Sequence, residues 1–368
     1  TAPAIWTGTF TGVPTNGVET VTLNNTAVGQ RFNLIGNPYP STLSMSQFVS
    51  DNSSAITGTL YFWRKTNSTT SSPGYCTWAG GTFVSNGEAQ VFNPNGVIQV
   101  GQGFLVEASD TGTSVVFNNG QRIANNANQV FRLNNSNFAT PNATSTVEYN
   151  RIWLNMTSAT EFAQMSVGYN TGATQEVDVF DGKYFNDGPI ALNSIIGTTD
   201  YAIQGRALPF ATNDVVPLSY KVTNAANYTI ALDQVDGLFT AGAQAVFLKA
   251  NLNTTYTNLN TTSYTFASEV GTFNNRFEIV YENQLSVVTP TFTADNVVVY
   301  KNNEDFVVNS GVTTMSEITV YDIRGRVLQT KKGINATETR LNAGTTNQVL
   351  LLQITTTEGL IVTKKVIN

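Results

Sequence analysis

Three aspartates stand close together in one stretch, Asp178 and Asp181 in Glu176-Val-Asp-Val-Phe-Asp-Gly-Lys183 and Asp187 in Asn186-Asp-Gly188. Carboxylates beside glycine-bearing turns are hard oxygen donors of the kind Ca²⁺ takes, and a carboxylate pair is what glycoside hydrolysis requires. The spacing is not that of an EF-hand loop, and nothing in the pattern sets two of these groups on facing strands. Asp178, Asp181 and Asp187 therefore stand as Ca²⁺ candidates only, and no catalytic residue is assigned. The rest of the chain offers little chemistry. It has no histidine, which removes the commonest general base, the commonest metal ligand and every Ser-His or Cys-His nucleophile. With Cys76 the only cysteine, neither an intrachain disulfide nor a Cys-based zinc site can form. The expectation is a protein that is not an enzyme and carries no cofactor beyond that Ca²⁺ option.

A second group of side chains suggests binding. Trp6, Tyr61, Phe62, Trp63, Tyr75 and Trp78 cluster in the first quarter of the chain. Exposed indoles on a sheet face stack on sugar rings, so Trp63 and Trp78 are candidate carbohydrate contacts, with cell-surface glycans as the partner. Tyr61, Phe62 and Trp63 are consecutive, however, and must alternate between the two faces of a strand. At least one of them belongs to a core.

These residues sit on a chain of 368 residues with 19 Lys plus Arg and 25 Asp plus Glu, a net charge of −6 and 12% charged residues. Globular domains average about 25% charged, and here 53 Thr and 42 Asn take the place of ions on the surface. The acidic balance argues against a nucleic-acid partner, which needs a dense basic footprint. No apolar run approaches the ~18 residues of a membrane span. Thr1-Ala-Pro-Ala-Ile-Trp6 shows neither a basic nor an apolar leader segment, as expected of a piece of something longer. A surface poor in ions, with one thiol, suits an extracellular bacterial protein.

Glycine, asparagine, aspartate and proline recur too often for amphipathic helices to develop. Between them lie short β-branched and aromatic runs: Arg31–Ile35, Thr59–Trp63, Gly103–Glu107, Ser114–Phe117, Arg151–Met156, Tyr228–Leu232, Ala245–Lys249 and Arg276–Tyr281. The spacing predicts an all-β protein of sandwich or barrel type, with one helical turn near Leu43–Val49. An Asn/Thr/Pro-rich stretch at Asn134–Tyr149 and a second at Gln284–Thr291 predict three domains: β-sandwiches of jelly-roll or Ig-like type at 1–135 and 150–283, then a small domain at 292–368. Charge supports the second boundary: residues 292–368 hold 8 of the basic and 7 of the acidic residues, net +1, against −7 for residues 1–291.

The last domain is the most legible. Seven runs, from Asn296–Tyr300 to Leu360–Ile367, fit a seven-stranded Ig-like sandwich of minimum size. Val349–Leu352, apolar on both faces, is expected at the centre of a sheet, and Asp322 is placed to pair with an arginine across the Arg324-Gly325-Arg326 turn.

Four ordered motifs also carry a resemblance: Tyr321-Asp-Ile-Arg-Gly-Arg326, Ile334-Asn-Ala-Thr-Glu338, Gly344-Thr-Thr-Asn-Gln-Val-Leu350 and Val362-Thr-Lys-Lys-Val-Ile-Asn368. Together they resemble the C-terminal sorting domain of type IX secretion substrates, in the type C variant of large flavobacterial surface proteins. The Tyr-Pro-Asn-Pro opening of the type A variant is replaced by Tyr300-Lys-Asn-Asn303. The resemblance implies a protein secreted to, or displayed on, the surface of a Gram-negative Bacteroidota cell, with its last domain read by the translocation pore and by an outer-membrane shuttle β-barrel. It implies a sorting signal made of Tyr321, Asp322, Arg324, Gly325, Arg326, Gly344, Asn347, Lys364, Lys365, Val366 and Asn368. An adhesion or carbohydrate-binding module carrying the same tail is the other expectation.

Overall fold

In the computed structural model the described residues are 9, 11–26, 31–65, 72–88, 91, 93–124, 147–283, 292–302, 305–311, 313–342, 344 and 348–367. They are almost entirely β, in line with the sequence, and form two compact units, Thr1–Asn283 and Gln284–Asn368. Residues 134–146 of the expected linker, and Gln284–Thr291, lie outside the described residues. The strand clusters on either side of the first boundary belong to one unit, each built round a core of its own.

In the first half, β1 (Phe32–Gly36), β2 (Ile56–Trp63), β3 (Tyr75–Ala79), β4 (Thr82–Val84) and β5 (Gly103–Ala108) form an antiparallel sheet in the order β1-β5-β2-β3-β4. Alternation sends Leu60, Phe62, Cys76, Trp78, Phe104 and Val106 to one face, where they bury. Against that face packs α1 (Met45–Asp51), the one helical turn foreseen in the sequence. Met45, Phe48 and Val49 fall on its inner stripe, and the Ser44 hydroxyl accepts the Gln47 N–H to cap it. Phe48 stacks on Phe117 at 4.9 Å and meets Phe104 edge-on at 5.4 Å. Past the helix end, the buried Asn52 side chain accepts the Val116 N–H and donates to the carbonyls of Phe48 and Val116. An amide thus joins helix to strand where many proteins place an ion pair.

The second half is one large sheet. Its strands are β6 (Tyr149–Thr157), β7 (Phe162–Asn170), β8 (Gly182–Lys183), β9 (Ile190–Ile196), β10 (Thr199–Ala207), β11 (Val215–Val222), β12 (Ala226–Val235), β13 (Phe247–Ala250), β14 (Thr255–Asn258), β15 (Tyr264–Ser268) and β16 (Gly271–Val280). They run β14-β13-β16-β11-β9-β10-β7-β6-β12-β15, with β8 paired to β10, and curve round a core to which nearly every strand contributes.

Strand β6 ties the two halves together. Ile152, Leu154 and Met156 enter the large core, while Arg151 and Trp153 on the opposite face reach the first sheet. The Trp153 indole N–H donates to the Phe83 carbonyl at 2.8 Å, Arg151 donates to the Gly81 carbonyl, and Trp153 packs with Ala79, Val84 and Ile203. Phe180 lies so close to the backbone at Gly205 and Gly80 that a Cβ at either would collide with it.

Unit 2 has the seven expected strands: β17 (Val298–Asn302), β18 (Asp305–Asn309), β19 (Met315–Asp322), β20 (Val327–Ala336), β21 (Glu338–Asn342), β22 (Val349–Thr356) and β23 (Ile361–Ile367). They form two sheets, β17-β18-β21 and β20-β19-β22-β23, whose side chains meet in one core. Strand β22 is interior to its sheet as expected, but only Leu350, Leu352, Ile354 and Thr356 are buried; Val349, Leu351 and Gln353 on the other face are half-covered.

Two outcomes follow. Residues 284–368 hold no tryptophan, while Trp63, Trp78 and Trp153 are built into unit 1, so tryptophan fluorescence during urea unfolding of the full chain follows that unit. Gly205→Ala should lower its stability by about 1–3 kcal/mol through overpacking against the Phe180 Cβ, and adding Phe180→Gly, which removes that Cβ, should cost less than the sum of the two single changes. Residues 292–368 alone should give a dispersed amide NMR spectrum, with the marginal stability expected of so small a core; a collapsed spectrum would contradict an autonomous unit.

Candidate functional site

The outer face of the first sheet carries the side chains most able to engage a ligand. Cross-strand register puts Trp63 opposite Tyr75 and Phe32 opposite Glu107. Segment 182–187 of the second half lies over this face. The Tyr61 hydroxyl donates to the Lys183 carbonyl and Thr59 to that of Asp181. Phe185 from the same segment sits between Tyr75, at 5.0 Å, and Phe32, at 4.3 Å. With Trp63 5.0 Å beyond Tyr75, the rings form a continuous strip: Trp63, Tyr75, Phe185, Phe32.

Trp63 is 54% exposed and Trp78 is 2% exposed. Trp78 points to the inner face of β3 and is part of the first core, so it has no free ring face and is removed as a sugar contact. Trp63 is held from below. Its six-membered ring lies over Gly74, where a Cβ would collide with Cζ3, and the Gly74 N–H is fixed by Asp187 Oδ1 at 2.8 Å. Asn186 fixes the next residue from both sides, accepting the Tyr75 N–H and donating to its carbonyl.

At the Phe32 end opens a cleft of about 180 Å³ lined by Arg31, Thr59, Glu107, Asp181, Lys183 and Tyr201, among others. Lys183 Nζ donates to Glu107 Oε1 at 3.0 Å; the Glu107 side chain is 4% exposed and that of Lys183 41%. Phe32, Phe185, Glu107 and Lys183 were not singled out from sequence. The adjacency of Tyr184-Phe185-Asn186 to the aspartates was the available signal, whereas the Phe32–Glu107 pairing needs the register.

The three aspartates do not converge. Asp178 accepts the N–H groups of Phe180 and Thr174, and Asp181 accepts those of Asp178 and Gly205. Asp187 lies apart at Gly74. Among the described residues no group of three or more His, Cys, Asp and Glu side chains could hold a metal. These carboxylates shape loops. Asp181 is nonetheless perturbed: burial pushes its carboxyl up to about 7, against the pull of its two backbone N–H partners. Cys76 is fully buried, and burial pushes its thiol up to about 12.

In unit 2 the residues of the sorting motif fall into three places. At the β19–β20 turn Gly325 has φ 79°, which a glycine adopts freely. Asp322 Oδ1 accepts the N–H groups of Arg324 and Arg326, and Oδ2 accepts Arg326 Nε at 2.7 Å. The backbone and then the side chain of Arg326 hold this carboxyl below the usual range. On the outer sheet face Tyr321 pairs with Leu351, and Leu351 with Lys365. On the inner side of β23, Val366 packs against the core and Lys364 donates to the Ala294 carbonyl at 2.7 Å. Gly344 follows β21, its N–H held by Asn342. Asn347 and Asn368 lie outside the described residues.

The class defined by these features is an all-β chain of two units, the first with an aromatic face and the second with a terminal sheet whose last strand pairs on one side only among the described residues. Residues 1–281 match a family model described as a domain of unknown function, DUF8693, and the chain belongs to that family. Residues 285–368 match a second model, DUF8694, likewise a domain of unknown function. The family boundary thus falls where the compact units divide. No curated protein matches the chain. Among the described residues no helix is long and apolar enough to cross a membrane.

Burial favours the protonated form of Asp181 in the fold. Its contribution to stability is therefore complete below its unfolded value of about 4 and is lost as pH rises through about 7. A ¹³C carboxyl titration should place its midpoint near 7; a midpoint in the ordinary aspartate range would show that the two N–H partners outweigh burial.

Proposed function

We propose that the chain is a non-catalytic export and display unit of a secreted or cell-surface Bacteroidota protein, with unit 2 as a type C sorting signal read by the type IX pore and its shuttle barrel. The observation that carries this reading is the position of β23. It pairs with β22 on one side only among the described residues, so its other edge offers backbone N–H and C=O groups to a partner strand or loop. Its outer face carries Ile361, Lys365 and Ile367, all exposed, beside Val349, Leu351 and Tyr321. An open edge with an apolar face and an outward ammonium suits recognition by an acidic-rimmed surface. The Asp322–Arg326 lock, at the end of β19 two strands in from β23, holds the β19–β20 turn.

The chemistry of the chain supports the non-catalytic part. Histidine is absent, the single thiol is buried and protonated, and Asp178 and Asp181 bind backbone.

Removing Lys364 to Asn368 takes away most of the outward pattern of β23. In a Bacteroidota host, export of that truncated chain should fall at least tenfold while the tryptophan emission of unit 1 stays native. Arrival in the medium at the full-length level would refute the assignment.

A further inference from the structure

The aromatic strip of unit 1 has features that neither core packing nor the proposed sorting role requires. Most exposed aromatic side chains are free to swing. Trp63 is clamped: Gly74 leaves room for its six-membered ring against the backbone, Asp187 fixes that backbone, and Tyr75 meets it at 5.0 Å with planes at 74°. More than half of the residue remains open to solvent. A large apolar face held in place without being covered has had most of its ordering cost met before any ligand arrives.

The strip continues through half-buried Tyr75, Phe185 and Phe32 in centroid steps of 5.0, 5.0 and 4.3 Å. It ends at a cleft where a carboxylate and an ammonium, Glu107 and Lys183, stand 3.0 Å apart. Lys183, the exposed member, offers N–H donors to ligand hydroxyls while the buried Glu107 carboxylate holds its ammonium in place. One open indole face, a line of apolar ring surface running on from it and a fixed ammonium beyond match a chain of sugar rings with apolar faces and hydroxyl rims. Residues 1–291 carry a net charge of −7, which disfavours anionic polymers and leaves neutral ones. We infer that the outer face of the first sheet is a binding site for a neutral oligosaccharide, stacked on Trp63 and extending toward the Glu107–Lys183 pair.

In this site Trp63 is the contact and Gly74 and Asp187 are positioning residues. The full chain should be retarded in native gels cast with at least one neutral glucan, xylan or mannan, and not in gels with alginate at equal ionic strength. Trp63→Ala should weaken the retardation about tenfold, the loss typical of an aromatic hot spot. Gly74→Ala should weaken it by a similar factor, because the added methyl displaces an indole that is still present. Asp187→Asn keeps an acceptor for the Gly74 N–H and should bind nearly as wild type. Leu252→Ala, at another exposed apolar position, should change nothing, and far-UV circular dichroism of each variant should match the parent. Retardation by none of the neutral polymers would overturn the inference. So would retardation that survives both Trp63→Ala and Gly74→Ala, or a strip whose only measurable effect is self-association abolished by Trp63→Ala.

Discussion

The indole N–H of Trp153, bonded to the Phe83 carbonyl, is the contact on which the arrangement of unit 1 depends. Strand β6 is apolar on one face for the large core and carries Arg151 and Trp153 on the other for the first sheet. One strand thus belongs to two cores at once. An unsatisfied indole N–H buried at that seam would cost about 1–3 kcal/mol, so the two halves are held in a single register by a polar group as well as by packing. Phe180 lying against Gly205 and Gly80 acts in the same way, since no other residue type permits that approach. The match of one family model to residues 1–281 is what such a seam requires.

The aromatic face is a product of this seam. Segment 182–187 comes from the second half, yet it covers Tyr61, supplies Phe185 and fixes Gly74 and Tyr75 on the first sheet. Neither half alone would present the strip. Asp187, a metal candidate by residue type, has its carboxylate engaged in shaping the seat of Trp63. In unit 2 the comparable device is local: Asp322 closes a turn within four residues by accepting two backbone N–H groups and one guanidinium N–H.

What could be read from the chain followed the range of the interactions involved. The hairpins of unit 2, the Asp322–Arg326 pair and the helical turn at α1 depend on neighbours in sequence, and they appear close to where the pattern puts them. Alternation also assigned Phe62 and Trp63 to opposite faces. It could not say what covers a face. Tyr61 and Trp63 share a parity, but the first is buried under segment 182–187 and the second is open. Trp78 shares the inward parity of Cys76 on β3, two residues away, and that parity is visible only once the buried face is known. The partition of residues 1–283 was obscured for the same reason, because a seam between distant strands leaves no local signature.

The side-chain amides have a consequence of a different kind. Asn52 joins helix to strand, Asn186 satisfies the backbone of Tyr75, and Asn150 accepts the Leu238 N–H, all with neutral dipoles. Neutral hydrogen bonds are not screened by dissolved ions, whereas exposed charge pairs weaken as the Debye length shrinks from about 10 Å at 0.1 M salt to about 3 Å at 1 M. The joints that this chain closes with neutral amides are therefore nearly indifferent to the salinity of whatever water they meet.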